Sequence, residues 1–150
     1  MSIRCEVIGA RDLERALRER LGDLAKSKKT LNVGFFDKAK YPTGESVPSV
    51  AFWNEFGTAK IPMRPFMRNA VRKDKDKWVA FFMAEARNSF DLERVYGRVG
   101  EAMRGSVVNA ITEMSSPANA AYTIEKKGSS HPLIDTGFMR QSVSFEIVGG

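Results

Sequence analysis

Residues 58–66 read Thr-Ala-Lys-Ile-Pro-Met-Arg-Pro-Phe, and this stretch separates two helical patterns. Pro62 and Pro65 lie three residues apart, and proline removes a helical hydrogen bond and pushes the residue before it toward extended backbone. A continuous helix is therefore excluded here. The stretch predicts a rigid extended connector between two helices.

A short helix is predicted before the connector. Apolar side chains recur through residues 50–56, with Val50, Ala51, Trp53 and Phe56 forming the apolar stripe. Ser49 follows a proline and suits the N-cap position. The next residue after Phe56 is a glycine, the residue expected just past a helix end.

Two longer helices are predicted after the connector, near 66–90 and 91–114. Pro65 suits the first helical position, and Asp91 suits the N-cap of the second helix. A break is expected in the first of these helices among the charged residues 73–77. Three glycines interrupt the second helix, and each exposed glycine costs about 1 kcal/mol relative to alanine. Tight packing or a local bend is therefore expected at Gly97, Gly100 and Gly105.

The two ends of the chain carry the strand patterns. Alternating apolar residues predict strands near 3–8, 31–36 and 142–148, with a further brief strand near 122–125. An amphipathic helix is predicted near 12–26. The sequence therefore predicts an α+β fold, in which a small mixed or antiparallel sheet packs against amphipathic helices. Its 150 residues suit a single domain, residues 1–150.

Two polar segments, near 37–47 and 115–131, interrupt these patterns. The first contains Pro42 and Gly44, and the second contains Pro117 and Gly128. Loops of this length in a small domain are often functional. We expect both to be mobile, or to become ordered by a partner.

The chain has a net charge of +6, and its basic residues concentrate in residues 60–77. This segment has seven basic and two acidic residues, a local excess of 7 − 2 = +5. Such a run fits a solvated helix face, a surface for an acidic protein, or a nucleic-acid site. Single-strand binding usually places aromatic residues between the basic ones, whereas Phe66 and Trp78 only bracket this run.

Enzymatic and cofactor chemistry has little support in the sequence. Cys5 has no second cysteine for a disulfide or a zinc site, and His131 is the only histidine. No phosphate-binding Gly-Lys-Ser/Thr motif occurs. We therefore expect no catalytic residues, no metal and no cofactor. The chain also lacks the apolar stretch of a signal peptide or a membrane span, which predicts a protein made and kept in a cytoplasm.

Three segments carry a family resemblance, and they occur in a fixed order. They are VAFWNEFGT at 50–58, IPMRPFMR at 61–68 and HPLIDTGFMRQSV at 131–143. In these segments the chain resembles the tail-completion, neck and virion-morphogenesis proteins of tailed bacteriophages. The motif residues that we expect to build the scaffold are Glu55, Phe56, Gly57, Pro62, Arg64, Pro65, Phe66, Asp135, Thr136 and Gly137.

The resemblance implies a structural protein of the virion, made in the bacterial host cytoplasm and placed at the head–tail junction. It implies a ring of several copies, formed before or during assembly, which docks to tail-tube or head-connector proteins. It implies no membrane partner. The basic side chains that we expect to contact a partner are Arg64, Arg68, Arg72 and Lys73.

Two other functions stay open at this point. A nucleic-acid-binding protein would place the basic 60–77 segment on phosphates, and its affinity would fall steeply with salt. A hydrolase, the more remote alternative, would need His131, and His131→Ala would abolish its activity.

Overall fold

The computed structural model describes residues 26–89, 91–128, 130–134 and 137–149, together with residues 14–16, 18, 19, 22 and 23. The contacts divide the chain into two units, Met1–Thr30 with Val148–Gly150 and Leu31–Ile147. The described residues between 14 and 23, and residue 26, are helical, as predicted for residues 12–26. The strand predicted near 3–8 lies outside the described residues. Within the described part of the chain, no helix is long and apolar enough to cross a membrane.

The remaining elements confirm the predicted α+β class. In chain order they are β1 (Thr30–Gly34), α1 (Val47–Phe56), α2 (Phe66–Asn88), α3 (Leu92–Glu113), α4 (Ala121–Lys127), α5 (Phe138–Gln141) and β2 (Ser144–Val148). Strands β1 and β2 form a two-stranded antiparallel sheet, and the side-chain nitrogen Nδ2 of Asn32 donates to Oε1 of Glu146 across it at 3.2 Å.

One strand prediction is wrong, because residues 121–127 form helix α4. Alternating β-branched and polar residues suggested a strand near 122–125. The alanines before this pattern favour a helix. Gly128 then ends the helix in the left-handed conformation, and its N–H donates to the carbonyl of Ile124. The 115–131 segment therefore contains a helical turn as well as loop.

Two local predictions about α1 and α2 are also wrong. Ser46, not Ser49, is the N-cap of α1, and its hydroxyl accepts a hydrogen bond from the N–H of Ser49. Helix α2 runs through residues 73–77 without a break. The alternating lysines and aspartates there pair along the helix, as Lys77 does with Asp74 at 2.8 Å, and such pairs support a helix.

The core of the larger unit lies where α1, α2, α3, Leu133 and residues 139–143 meet. Phe66, the first residue of α2, is fully buried in it, and its ring makes an edge-to-face contact with Phe35 at 6.1 Å between centroids. Burying a phenylalanine contributes about 2–3 kcal/mol. The buried residues of this cluster are Val47, Ala51, Phe66, Ala70, Val107, Ile111, Leu133, Met139 and Val143.

Helices α2 and α3 form a hairpin that extends from this core. The Asp91 side chain accepts from the N–H of Arg94, which confirms the predicted cap of α3. The indole N–H of Trp78 on α2 donates to the Ser106 hydroxyl on α3 at 3.0 Å. The tight packing expected at the glycines is confirmed at Gly100, where an added Cβ would collide with the ring of Phe145. It is wrong at Gly97 and Gly105, where an added Cβ would meet nothing within 4 Å.

Residues 37–46 form a closed turn between β1 and α1. The N–H of Tyr41 donates to the carbonyl of Glu45 at 2.8 Å, and Lys40 and Ser46 form an isolated antiparallel bridge. The ring of Tyr41 packs against that of Phe138, 5.3 Å away between centroids. Part of this predicted loop is therefore anchored to the core.

Candidate interaction surface

Glu55, in the last turn of α1, is buried and caps the next helix. The residue is 4% exposed. Its two carboxylate oxygens accept hydrogen bonds from the backbone N–H groups of Met67 and Arg68, at 2.9 and 3.1 Å. Pro65 stands at the N-cap of α2 and provides no side-chain hydrogen bond. The first N–H groups of a helix need acceptors, and a carboxylate there also interacts favourably with the helix dipole. Glu55 therefore joins α1 to the start of α2.

Arg64, in the connector, is the second buried charged residue, also 4% exposed. Its guanidinium donates to the carbonyls of Pro117 and Ala118 at 2.8 and 3.2 Å. It also donates to the side-chain oxygens of Asn54 and Asn119, both at 3.2 Å. Burial lowers the pKa of the Arg64 guanidinium from its ordinary value, so these four acceptors are needed to compensate for its desolvation. Arg64 therefore fixes the 117–119 segment to the connector.

The Arg64 contacts continue into the third family segment through a polar chain. Nδ2 of Asn119 donates to the carbonyl of His131 at 3.1 Å. Nε2 of His131 lies 2.7 Å from the carbonyl oxygen of Thr112, so this nitrogen carries the proton and donates it to the backbone. His131 is thereby used to hold its own loop against the end of α3.

Part of the third segment lies in the core. Gly137 has φ of 78° and begins α5, and Met139 and Val143 are buried in the same cluster as Phe66. Asp135 and Thr136 lie outside the described residues. The three family segments therefore meet at one core, through Phe66 and through the contacts of Arg64.

Gly57 is required by the turn that ends α1. Its φ of 76° and ψ of 168° belong to a backbone region that is essentially restricted to glycine. An added Cβ would lie 3.0 Å from the backbone nitrogen of Met63 and 3.1 Å from the carbonyl oxygen of Ile61. In the residue after Gly57, the hydroxyl of Thr58 accepts a hydrogen bond from the backbone N–H of Ile61 at 3.0 Å. These contacts fold the connector back on the end of α1, with Pro62 exposed.

The structure separates the four basic residues that we expected to act together. Arg64 does not belong to an exposed basic face, because its guanidinium is buried and makes four hydrogen bonds inside the protein. Arg68 is half exposed and pairs with Glu55 at 2.8 Å. Lys73 pairs with Glu113 at 3.0 Å, and this hydrogen bond raises the pKa of Lys73. Arg72 is exposed and forms no ion pair with any residue that the structure describes.

The outward side of α1 presents large apolar side chains to solvent. We call this the aromatic surface. Its members are Phe52 (59% exposed), Trp53 (46%) and Phe56 (54%) on α1, together with Met63 (51%) in the connector, whose backbone lies against Gly57 at the end of α1. The rings of Phe52 and Phe56 are in contact, with centroids 4.7 Å apart. The Arg68 guanidinium lies over the Phe56 ring, 5.0 Å from its centroid. Contiguous exposed aromatic residues of this kind mark interaction sites.

The sequence pattern did not identify this surface, because it counted Trp53 and Phe56 as the buried stripe of the helix. In the structure, the inward apolar residues of α1 are Val47 and Ala51. A signal was nevertheless present. Helix α1 is apolar on most of its sides, and a helix that lies at the edge of a small core buries only one side.

A polar cavity of about 310 Å³ lies between α2 and α3. Asp74 lines it, and hydrogen bonds from Lys77 and then Ser106 lower the pKa of this carboxyl. The charged side chains that line the cavity already form ion pairs: Asp74 pairs with Lys77, and Lys73 pairs with Glu113. Among the described residues, no group of three or more His, Cys, Asp or Glu side chains is placed to hold a metal ion.

Comparisons of this chain with protein-family models, with curated proteins and with solved structures find no match.

Proposed function

We propose that this chain is a structural assembly protein of a tailed-bacteriophage virion, placed at the head–tail junction. It acts without catalysis, by associating with its own copies and by docking to adjacent tail or connector rings. The three ordered sequence segments supply the phage part of this proposal. The exposed contact surfaces supply the assembly part.

The aromatic surface is the observation that carries the assembly part. A monomeric protein of this size rarely exposes several neighbouring aromatic side chains unless they bind something. The centre of protein–protein interfaces is enriched in aromatic residues, methionine and arginine. Phe52, Trp53, Phe56, Met63 and Arg68 have this composition.

The family motifs support a scaffold rather than a reactive site. Glu55 and Arg64 are the buried charged residues of the first two segments, and both form hydrogen bonds with backbone groups of the protein itself. Gly57 and Phe66 serve backbone geometry and packing. Such residues give a fixed shape to the surface next to them.

The same contacts weaken the nucleic-acid alternative. Of the seven basic residues in 60–77, Arg64 is buried and three pair with carboxylates, namely Arg68, Lys73 and Lys77. Nucleic-acid affinity depends on cations that are free to replace the counterions of phosphates. A protein partner therefore accounts better for the combination of aromatic and paired charged residues.

The proposal is tested by locating the protein in phage particles. Gold-labelled antibody against this chain should mark the point where tail and head meet in electron micrographs of purified particles. Interrupting the gene should leave heads and tails that fail to join or tails that lack a completed end. Normal infectious particles without the protein would overturn the proposal.

A further inference from the structure

We propose that the aromatic surface binds an acidic polypeptide segment that also carries apolar side chains. This inference rests on the proposed function and names the chemistry of the partner. The partner places its apolar side chains on Phe52, Trp53 and Met63, and its carboxylates beside Arg72 and Lys75.

The apolar half of this site is held in a fixed shape. Phe56 is fixed between the Phe52 ring and the Arg68 guanidinium. The backbone of Met63 is held next to this pair because it packs directly against Gly57 at the end of α1. Rigid aromatic side chains lose little conformational entropy on binding, so such a surface is prepared for a partner.

The charged half of the site follows from the spacing along α2. Arg68 lies over Phe56, and Arg72 is four residues further, so the two side chains are neighbours on one side of the helix. Lys75 follows three residues later. Arg72 and Lys75 are exposed and form no ion pair with the described residues. An apolar surface that continues into unpaired cations complements a segment in which carboxylates accompany apolar side chains.

The alternative occupants fit this surface less well. A second copy of the chain brings a net charge of +6, which opposes the cations at the edge of the site. Single-stranded nucleic acid needs open ring faces for stacking. The Phe56 ring is already shared between Phe52 and Arg68, which favours a polypeptide.

The test measures binding of labelled polymers to the full-length protein at physiological salt by fluorescence anisotropy. The main probe is a random copolymer of glutamate and tyrosine, which combines carboxylates with apolar rings. Poly-glutamate tests charge alone, a lysine–tyrosine copolymer reverses the charge, and oligothymidylate tests nucleic acid. We expect the glutamate–tyrosine copolymer to bind at least about tenfold more tightly than the other three.

Two variants test the two halves of the site separately. Trp53→Ser removes an aromatic contact, and Arg72→Glu reverses a charge without touching the core. Each should weaken copolymer binding by about tenfold or more, as expected for residues near the centre of an interface. The matched controls are Tyr122→Ser, an exposed aromatic on α4, and Lys126→Glu, an exposed lysine on the same helix. Both controls should bind within about twofold of the wild-type protein.

Four results would overturn the inference. Two concern the probes: poly-glutamate binds as tightly as the glutamate–tyrosine copolymer, or oligothymidylate binds more tightly than the copolymer. Two concern the variants: the controls lose as much copolymer affinity as Trp53→Ser and Arg72→Glu, or Trp53→Ser shifts the monomer–oligomer equilibrium without changing copolymer binding. The last result would assign the surface to a second copy. Thermal unfolding of every variant checks that it folds, and Arg72→Glu remains a valid test if Trp53→Ser does not. Copolymer binding by a protein that is absent from phage particles would refute only the proposed function. Absence of binding by a protein found in particles would refute only this inference.

Discussion

The connector between α1 and α2 and the outward side of α1 are adjacent in the chain but use their unusual residues in opposite ways. At the junction of these two regions, the charged residues Glu55, at the end of α1, and Arg64, in the connector, are buried and bonded to backbone groups. On α1, the apolar residues Phe52 and Phe56 are exposed. The polar residues therefore hold the fold together, whereas the apolar ones are left for contacts outside it. The predictions below measure each half of this contrast.

Replacing Arg64 should give the largest loss of stability. Arg64→Met keeps the length of the side chain and removes the donors to Pro117, Ala118, Asn54 and Asn119. Buried acceptors left without donors should lower the free energy of unfolding by about 4 kcal/mol, measured by urea denaturation. Arg72→Met, at an exposed position, should change it by less than about 0.5 kcal/mol. Equal effects of the two substitutions would show that the Arg64 contacts add nothing to stability.

Glu55→Gln should have the next largest effect. The amide keeps one acceptor oxygen for the N–H groups of Met67 and Arg68 but loses the charge that pairs with Arg68. We expect a loss of about 2–3 kcal/mol in urea denaturation, because charge-assisted hydrogen bonds are stronger than neutral ones. Glu125→Gln, on the exposed side of α4, is the control and should be nearly neutral. If Glu55→Gln left the free energy of unfolding unchanged, the stability of α2 would not depend on this cap.

Gly57→Ala should cost about 2 kcal/mol, because alanine at this position combines a glycine-only conformation with a close contact to the Met63 backbone. Gly128→Ala separates the two causes. Gly128 is also at positive φ, 67°, but an added Cβ there meets nothing within 4 Å. Its cost should be about 1 kcal/mol. Similar losses for both glycines in thermal unfolding would show that the close contact at Gly57 relaxes without cost.

Phe52→Gln should have the smallest effect on stability. The Phe52 side chain is mostly exposed, and glutamine retains part of its aliphatic contact. We expect a loss of at most about 1 kcal/mol in urea denaturation, together with weaker binding of the glutamate–tyrosine copolymer. A loss as large as that of Arg64→Met would place Phe52 in the folded core and remove it from the contact surface.

Sequence patterns predicted the parts of the fold that depend on local chemistry. Asp91 caps α3 and Gly57 ends α1, because helix capping and the turn after a helix are decided within a few residues. The pattern failed at residues 122–125, where alternation suggested a strand and the neighbouring alanines favoured a helix. Alternation over so short a stretch does not distinguish the two.

The candidate surface was harder to predict, because it depends on which neighbours cover each side chain. Arg64 and Arg72 look alike in a basic run, but only Arg64 finds acceptors, and these lie in a distant part of the chain. Trp53 and Phe56 look like core residues, but the inward side of α1 is filled by Val47 and Ala51. Long-range contacts of this kind are not encoded in local periodicity.

The Arg64 contacts also set an order of events during protein synthesis. Its two backbone acceptors, the carbonyls of Pro117 and Ala118, lie 53 and 54 residues downstream, whereas Asn54 is made before Arg64. At translation rates of about 5–20 residues per second, the ribosome needs roughly 3–10 s to make these carbonyls after it has made Arg64. Throughout this interval the guanidinium lacks both carbonyls, and the 117–119 segment cannot yet hold the connector. The residues of α1, α2 and α3 are therefore all synthesised before Arg64 can bind the 117–119 segment. A chain that stops short of residue 117 never forms these contacts.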